Sequence, residues 1–192
     1  MLSESAARWL LVLHTALGVA AVGAATHLVL WLRRYVRGEH GRRRAVVRFA
    51  WLVLALQGAA FLAGNVMYPT YKVEVRAAYL ENAAATSADS QLHERELARI
   101  AGREGVAPPR GAATESLVKR AAETAHWFDI KEHWIALGIF VQAALLLLLA
   151  MWEPRRDGGA ISWVVLGLAC IVAASVWLGA IVGVMTAAIR AV

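Results

Sequence analysis

The sequence predicts an all-α polytopic membrane protein: a four-transmembrane-helix bundle with a small helical extracytoplasmic cap between helices 2 and 3. Three observations carry this prediction. Apolar residues make up 59% of the 192 residues and charged residues 18%, against about 45–50% and 25% in soluble domains. Four runs, Trp9–Leu32, Phe49–Tyr68, Trp134–Trp152 and Ile161–Ile189, contain no Asp, Glu, Lys or Arg. Each approaches or exceeds the ~20 residues that cross a hydrocarbon core of ~30 Å. Basic residues crowd one short segment between two of these runs, as they do at the cytoplasmic end of a span.

The spans are set at 9–32, 49–68, 132–152 and 161–189 within a single membrane domain, 1–192. Residues 69–131 form an extracytoplasmic helical insertion. The first run is too long for a signal peptide, follows Glu4 and ends in an Arg-rich loop instead of a cleavage site. That loop, 33–48, carries Arg33, Arg34, Arg37, Arg42, Arg43, Arg44 and Arg48 against Glu39 alone. Its position between two spans makes it a topology signal that touches anionic lipid, and argues against a nucleic-acid partner. In the second run Pro69 is expected to kink the exit of the helix. The 69–131 segment carries basic and acidic residues in equal number, so it shows no positive bias. It reads as helices at 71–85 and 91–101, then a Gly/Pro loop at 102–113. Thr114 serves as N-cap to a third helix with no breaker before Gly138. This helix is expected to run from 115 to 152, about 57 Å. The fourth span follows the short 153–157 loop. Both short loops are then cytoplasmic and both termini outside, in a bacterial-type inner membrane. Trp31, Trp51, Trp152 and Trp163 would belt the inner interface, and Trp9, Trp127 and Trp134 the outer one.

Chemistry-bearing residues gather at the outer mouth. His126, Asp129 and His133 fall within ~60° of one another on a helix, with Lys131 facing the other way. His14 lies about 7.5 Å below Trp9 by helix rise, at a depth that can match His133. Two readings follow. In the first, His14 and His133, or His126, are axial ligands of one haem b, with Asp129 accepting the second ring proton of His133. Gly18 and Ala21 on the His14 face, with Gly58, Gly64, Gly179 and Gly183 on other spans, would leave room for the macrocycle. In the second, His126, Asp129 and His133 bind a metal such as zinc, with His14 or Glu132 completing the shell. Against both stands the plain alternative that these histidines hold helices together and Gly179/Gly183 serve close packing. His27 does not share the His14 face, and a second haem has no ligand at its depth, so His27 is expected to bond a backbone carbonyl or Gln57. The segment Asn65–Arg76 adds Tyr68, Tyr71 and Arg76, the last able to pair with Asp129 or Glu132. Together these form a candidate pocket for a quinol head group.

The count of spans and the histidine placement are similar to small four-helix b-type cytochrome subunits, with no shared motif. The resemblance implies a subunit of a respiratory or photosynthetic electron-transfer assembly, partnered by lipid and other membrane subunits. A cofactor-free accessory subunit is the alternative. The one cysteine, Cys170, excludes an internal disulfide framework, a CxxC redox motif and a thiolate zinc site. No nucleophile elbow, phosphate loop or CxxCH occurs. The lack of charged or broken midplane helices argues against an energy-coupled transporter.

Overall fold

A computed structural model describes residues 3–107, 114–157 and 159–189. The described chain is helical, without strands, and four of its helices are long and apolar enough to cross a membrane. α1 spans Glu4–Val36, α2 Arg43–Thr70, α3 Ala83–Glu104, α4 Thr114–Met151, α5 Pro154–Asp157 and α6 Ser162–Ile189. The four long helices form a ring: α1 packs on α2 and α6, and α4 packs on α6 and α2. α1 and α4 therefore stand at opposite corners. This is the expected order for consecutive antiparallel helices joined by short loops.

Most side chains on these helices point away from the bundle, and they are apolar. Leu13, Val19, Leu62, Phe140, Leu147, Val164, Ile181 and Val184 are all exposed. Water would not tolerate such a surface, whereas lipid chains are as apolar as the side chains themselves. The core is built of small and β-branched residues: Ala21, Ala25, Ala50, Val53, Val165, Ala169 and Val172, with Leu28, Leu32, Leu145 and Leu149. Their size lets the helices approach closely. A polar stitch joins α1 to α6, where Trp177 Nε1 donates to Thr26 Oγ1 at 3.1 Å.

At the Arg-rich end Tyr35 is fully buried, edge-on to Trp152 and His40. Trp152 is itself buried, so it belongs to the core and not to the interfacial belt expected of it. Trp51 and Trp163 are exposed. Arg43 reaches across to the carbonyls of Leu149 and Ala150 at 3.2 and 3.4 Å. It thus satisfies acceptors that the last turn of α4 cannot use and places a cation at that helix C-terminus. Glu39 pairs with Arg34 and Arg42. The hydrogen bond from Arg34, with Arg42 beside it, holds the Glu39 carboxyl below the ordinary glutamate range.

The second span is longer than its apolar run. Pro69 lies inside α2, and from Tyr71 to Leu80 the hydrogen bonding widens to a π-helix of 10 residues. Proline removes one donor and crowds the carbonyl a turn before it, and local π geometry re-satisfies what is freed. The wider turn sets the burial pattern: Tyr71, Val75 and Leu80 are buried, at steps of four and five where an α-helix would repeat every 3.6. They pack on Ala121 and Ala125 of α4. The break after this segment falls at Glu81–Asn82, where the Asn82 side chain accepts from Ala85 N at 3.1 Å and caps α3. The expected helices at 71–85 and 91–101 are thus regrouped as 71–80 and 83–104, because the N-cap asparagine outweighs the polar stretch that follows it. α3 ends at Gly105, whose φ of 66° only glycine adopts freely. The third span is one helix of 38 residues, and Thr114 is its first residue. Residues 108–113, with Pro108, Pro109 and Gly111 of the expected loop, lie outside the described residues.

Candidate functional site

The end of the bundle opposite the Arg-rich loop holds the polar cluster. Its geometry begins with the buried stripe of α4, which runs Ala121, Ala125, Gly138, Gln142, Leu145 and Leu149. Extended through the head of the span, that stripe passes Phe128 and Lys131. Phe128 stacks on Tyr71, centroids 4.0 Å apart and 21° from parallel. The Lys131 ammonium lies over the same Phe128 ring at 4.2 Å, a cation–π contact. Tyr68 adds a third ring 6.4 Å from Tyr71.

Arg76 is set opposite Asp129 by the π-helical register. Its two terminal nitrogens donate to the two carboxylate oxygens of Asp129 at 2.5 and 3.0 Å. Its Nε donates to Glu81 at 2.7 Å. The fork geometry fixes the distance between the π-helix and α4. Tyr71 is 3% exposed. Its hydroxyl and the Thr70 hydroxyl, both buried, have no hydrogen-bond partner among the described residues. Arg76, Asp129, Glu132 and Glu81 all act on Tyr71 electrostatically, so the ring ends among charges while one of its faces is covered by Phe128.

The structure therefore brings Tyr68, Tyr71, Arg76 and Asp129 together, and pairs Arg76 with Asp129, not with Glu132. The histidines are placed differently. His14 is half-buried; its Nδ1 donates to the carbonyl of Ala60 at 2.8 Å, and its Cε1 lies 3.2 Å from where a Cβ on Gly64 would stand. Gly64 is what lets α1 and α2 close at this level. Gly18, Gly58 and Gly183 face open space, and Gly179 packs under Ile135. His133 is exposed, and its Nδ1 donates to Asp129 O of its own helix at 2.8 Å. His126 is exposed as well. The position on α4 that interacts with His14 is Lys131. The structure records no contact of His14 with His126 or His133 among the described residues, as their diagonal helices and exposed rings imply. Among the described residues, no group of three or more His, Cys, Asp or Glu could hold a metal ion, and the Asp129 carboxylate is taken up by Arg76. His27 is exposed, stacks on Phe49 and meets Trp31; the amide of Gln57, its expected partner, has no hydrogen-bond partner among the described residues.

Lys131 is the residue that the sequence reading set aside. The signal was present in the spacing: 121, 125, 128 continues to 131 or 132 before it reaches 135 and 138. A lysine on a buried stripe at the head of a span is the exception that this periodicity exposes.

Comparison of the chain with models of known protein families, with curated proteins and with solved structures finds no match.

Proposed function

We propose that the protein is a membrane subunit of an electron-transfer assembly whose outer mouth receives the head group of a quinol. The observation that carries this reading is the pair of buried, unpartnered hydroxyls on Thr70 and Tyr71 beside the Arg76–Asp129 fork. A buried hydroxyl without a partner costs free energy, and a head group with hydroxyl or carbonyl oxygens supplies one. Tyr68 offers a flat apolar face to a ring, and Lys131 offers a donor at the lipid boundary. In this reading the 69–131 segment is an extracytoplasmic cap, the Arg-rich loop is cytoplasmic, and both termini are outside. The test is equilibrium binding of a short-chain quinone and its quinol to the protein in nanodiscs. Tyr71→Phe is expected to weaken binding about tenfold, the scale of one buried hydrogen bond, while His93→Ala leaves it unchanged. No binding to the wild-type protein removes the reading and leaves the cofactor-free accessory subunit.

One observation favours a second reading, a single haem b on His14 with His133 or His126. His14 and His133 both commit Nδ1–H to a main-chain carbonyl, which leaves Nε2 as the free nitrogen, as in ligand histidines. His133 and His126 are exposed rings on α4, so this reading asks more of the protein than the first. The visible spectrum before and after dithionite tests it: a reduced α-band lost in His14→Ala supports it, and absence of a Soret band removes it.

A further inference from the structure

Midway along the bundle, away from the mouth, buried polar side chains interrupt an otherwise apolar core. Gln57 of α2 is 3% exposed and Gln142 of α4 is 0% exposed. Ser175 of α6 is also buried, and its Oγ donates to Val172 O at 2.9 Å, which leaves its lone pairs open. Gly138 of α4 is the meeting point. A Cβ placed there would lie 2.2 Å from Ser175 Oγ and 4.0 Å from Gln57 Nε2, so the hydroxyl and the amide come from two different helices to one spot on a third. Gln142 donates to the Ala50 carbonyl at 2.6 Å. Among the described residues, its Oε1 has no partner, and Gln57 has none for either amide atom. Its two N–H donors and its carbonyl acceptor are all unspent.

In a span interior this arrangement is expensive. A buried amide without hydrogen bonds costs several kcal/mol, and lipid offers no relief. A leucine of similar size would carry no such cost. Ser175 cannot serve the amide oxygen, since it has spent its one proton on Val172, and neither amide atom of Gln57 has a hydrogen-bond partner among the described residues. What remains is a small neutral molecule able to donate and accept at once. We infer that Gln57 and Ser175 form a buried hydration site that holds ordered water between α2, α4 and α6, beside Gly138. Water there accepts from Gln57 Nε2 and donates to Gln57 Oε1 or Ser175 Oγ, two to four partners of the kind buried waters use. Val53 and Leu145 are apolar core residues whose backbone amides serve as dry references.

The experiment is water-edited solid-state NMR on the full chain, labelled uniformly with nitrogen-15 and reconstituted in perdeuterated lipid. Gln57, Gln91 and Gln142 are the three glutamines, and Gln57→Leu and Gln91→Glu assign the side-chain signals. The expected result is rapid transfer of water magnetisation to the Gln57 side-chain NH2, at a rate severalfold above that of the Val53 and Leu145 backbone amides. Ser175→Ala, which removes one water partner without adding volume, should slow the transfer at least twofold. A Gln57 side chain as dry as the Val53 and Leu145 amides in the wild-type protein overturns the inference. A fast transfer that Ser175→Ala leaves unchanged, in a variant that keeps the wild-type helical signals, overturns the site as drawn. The wild-type measurement decides even where the variant fails to fold.

Discussion

Gly138→Ala is the substitution that most directly probes how this bundle closes. A methyl group at 138 would stand 2.2 Å from Ser175 Oγ and 3.0 Å from Ser175 Cβ, where heavy atoms prefer about 3.5–4.0 Å. Rotating the serine removes the first clash but not the second, which involves its Cβ. α4 and α6 must therefore move apart by several tenths of an ångström or more along a packed seam. Overpacking of this kind costs about 1–3 kcal/mol. Alanine also gains helix propensity over glycine, up to about 1 kcal/mol, and this would mask part of the loss. Gly183→Ala supplies the correction, because a Cβ there meets nothing within 4 Å and gains the same propensity. The difference between the two variants isolates the packing cost. Gly179→Ala should fall between them, since its obstacle is the flexible end of Ile135 at 2.6 Å. The assay is reversible unfolding in mixed micelles with increasing dodecyl sulfate, followed by tryptophan fluorescence. The expected order of stability is Gly183→Ala, then Gly179→Ala, then Gly138→Ala, with about 1–3 kcal/mol between the extremes. In a Ser175→Gly background most of the Gly138→Ala cost should vanish. Equal stability of Gly138→Ala and Gly183→Ala, or a cost that survives Ser175→Gly, would refute the reasoning.

Three further outcomes are expected. In a double-mutant cycle, Arg76→Ala and Asp129→Ala should couple by about 1–2 kcal/mol, between exposed pairs at ~0.2–1 and buried ones at ~3–5, because the side chains are 22% and 36% exposed; coupling under about 0.3 kcal/mol would remove the fork as a clamp. In a Cys170→Ala background, a cysteine at Gly41 should resist an external impermeant thiol label in intact cells and one at Val106 should accept it, Val106 being preferred to Gly105, whose φ is positive; the opposite pattern reverses the orientation and moves the mouth to the cytoplasm. Trypsin should spare Lys119 and Arg120 in the native protein, since Ala121 and Ala125 lock that stretch of α4 onto the π-helix; cleavage there while the spans stay intact would show that this packing is not maintained.

Much of this protein follows from residue type and period alone. Four apolar runs without charge can be stable only as buried or lipid-facing helices, because every backbone group in hydrocarbon must bond within its own helix. The single long helix through 114–151 was legible for the same reason, since nothing between Thr114 and Gly138 interrupts it. The pairing of Arg76 with Asp129 was also within reach, as opposite charges at the mouths of neighbouring spans. Spacing could not say which way the chain turns after Pro69. An α-helical register would have swung Arg76 elsewhere; the ten-residue π-helix decides it, and that geometry depends on packing against Ala121 and Ala125. Nor could spacing separate the fates of His14 and His133. The ring order of the helices places them at opposite corners, with His14 tied to Ala60 on α2 and His133 exposed and bonded to Asp129 of its own helix. Local sequence determines which segments are helices because backbone hydrogen bonds are local. Which side chains meet is decided by the arrangement of helices about one another, and that depends on contacts such as Gly64 under His14 and Gly138 under Ser175, whose meaning exists only once two distant segments are side by side.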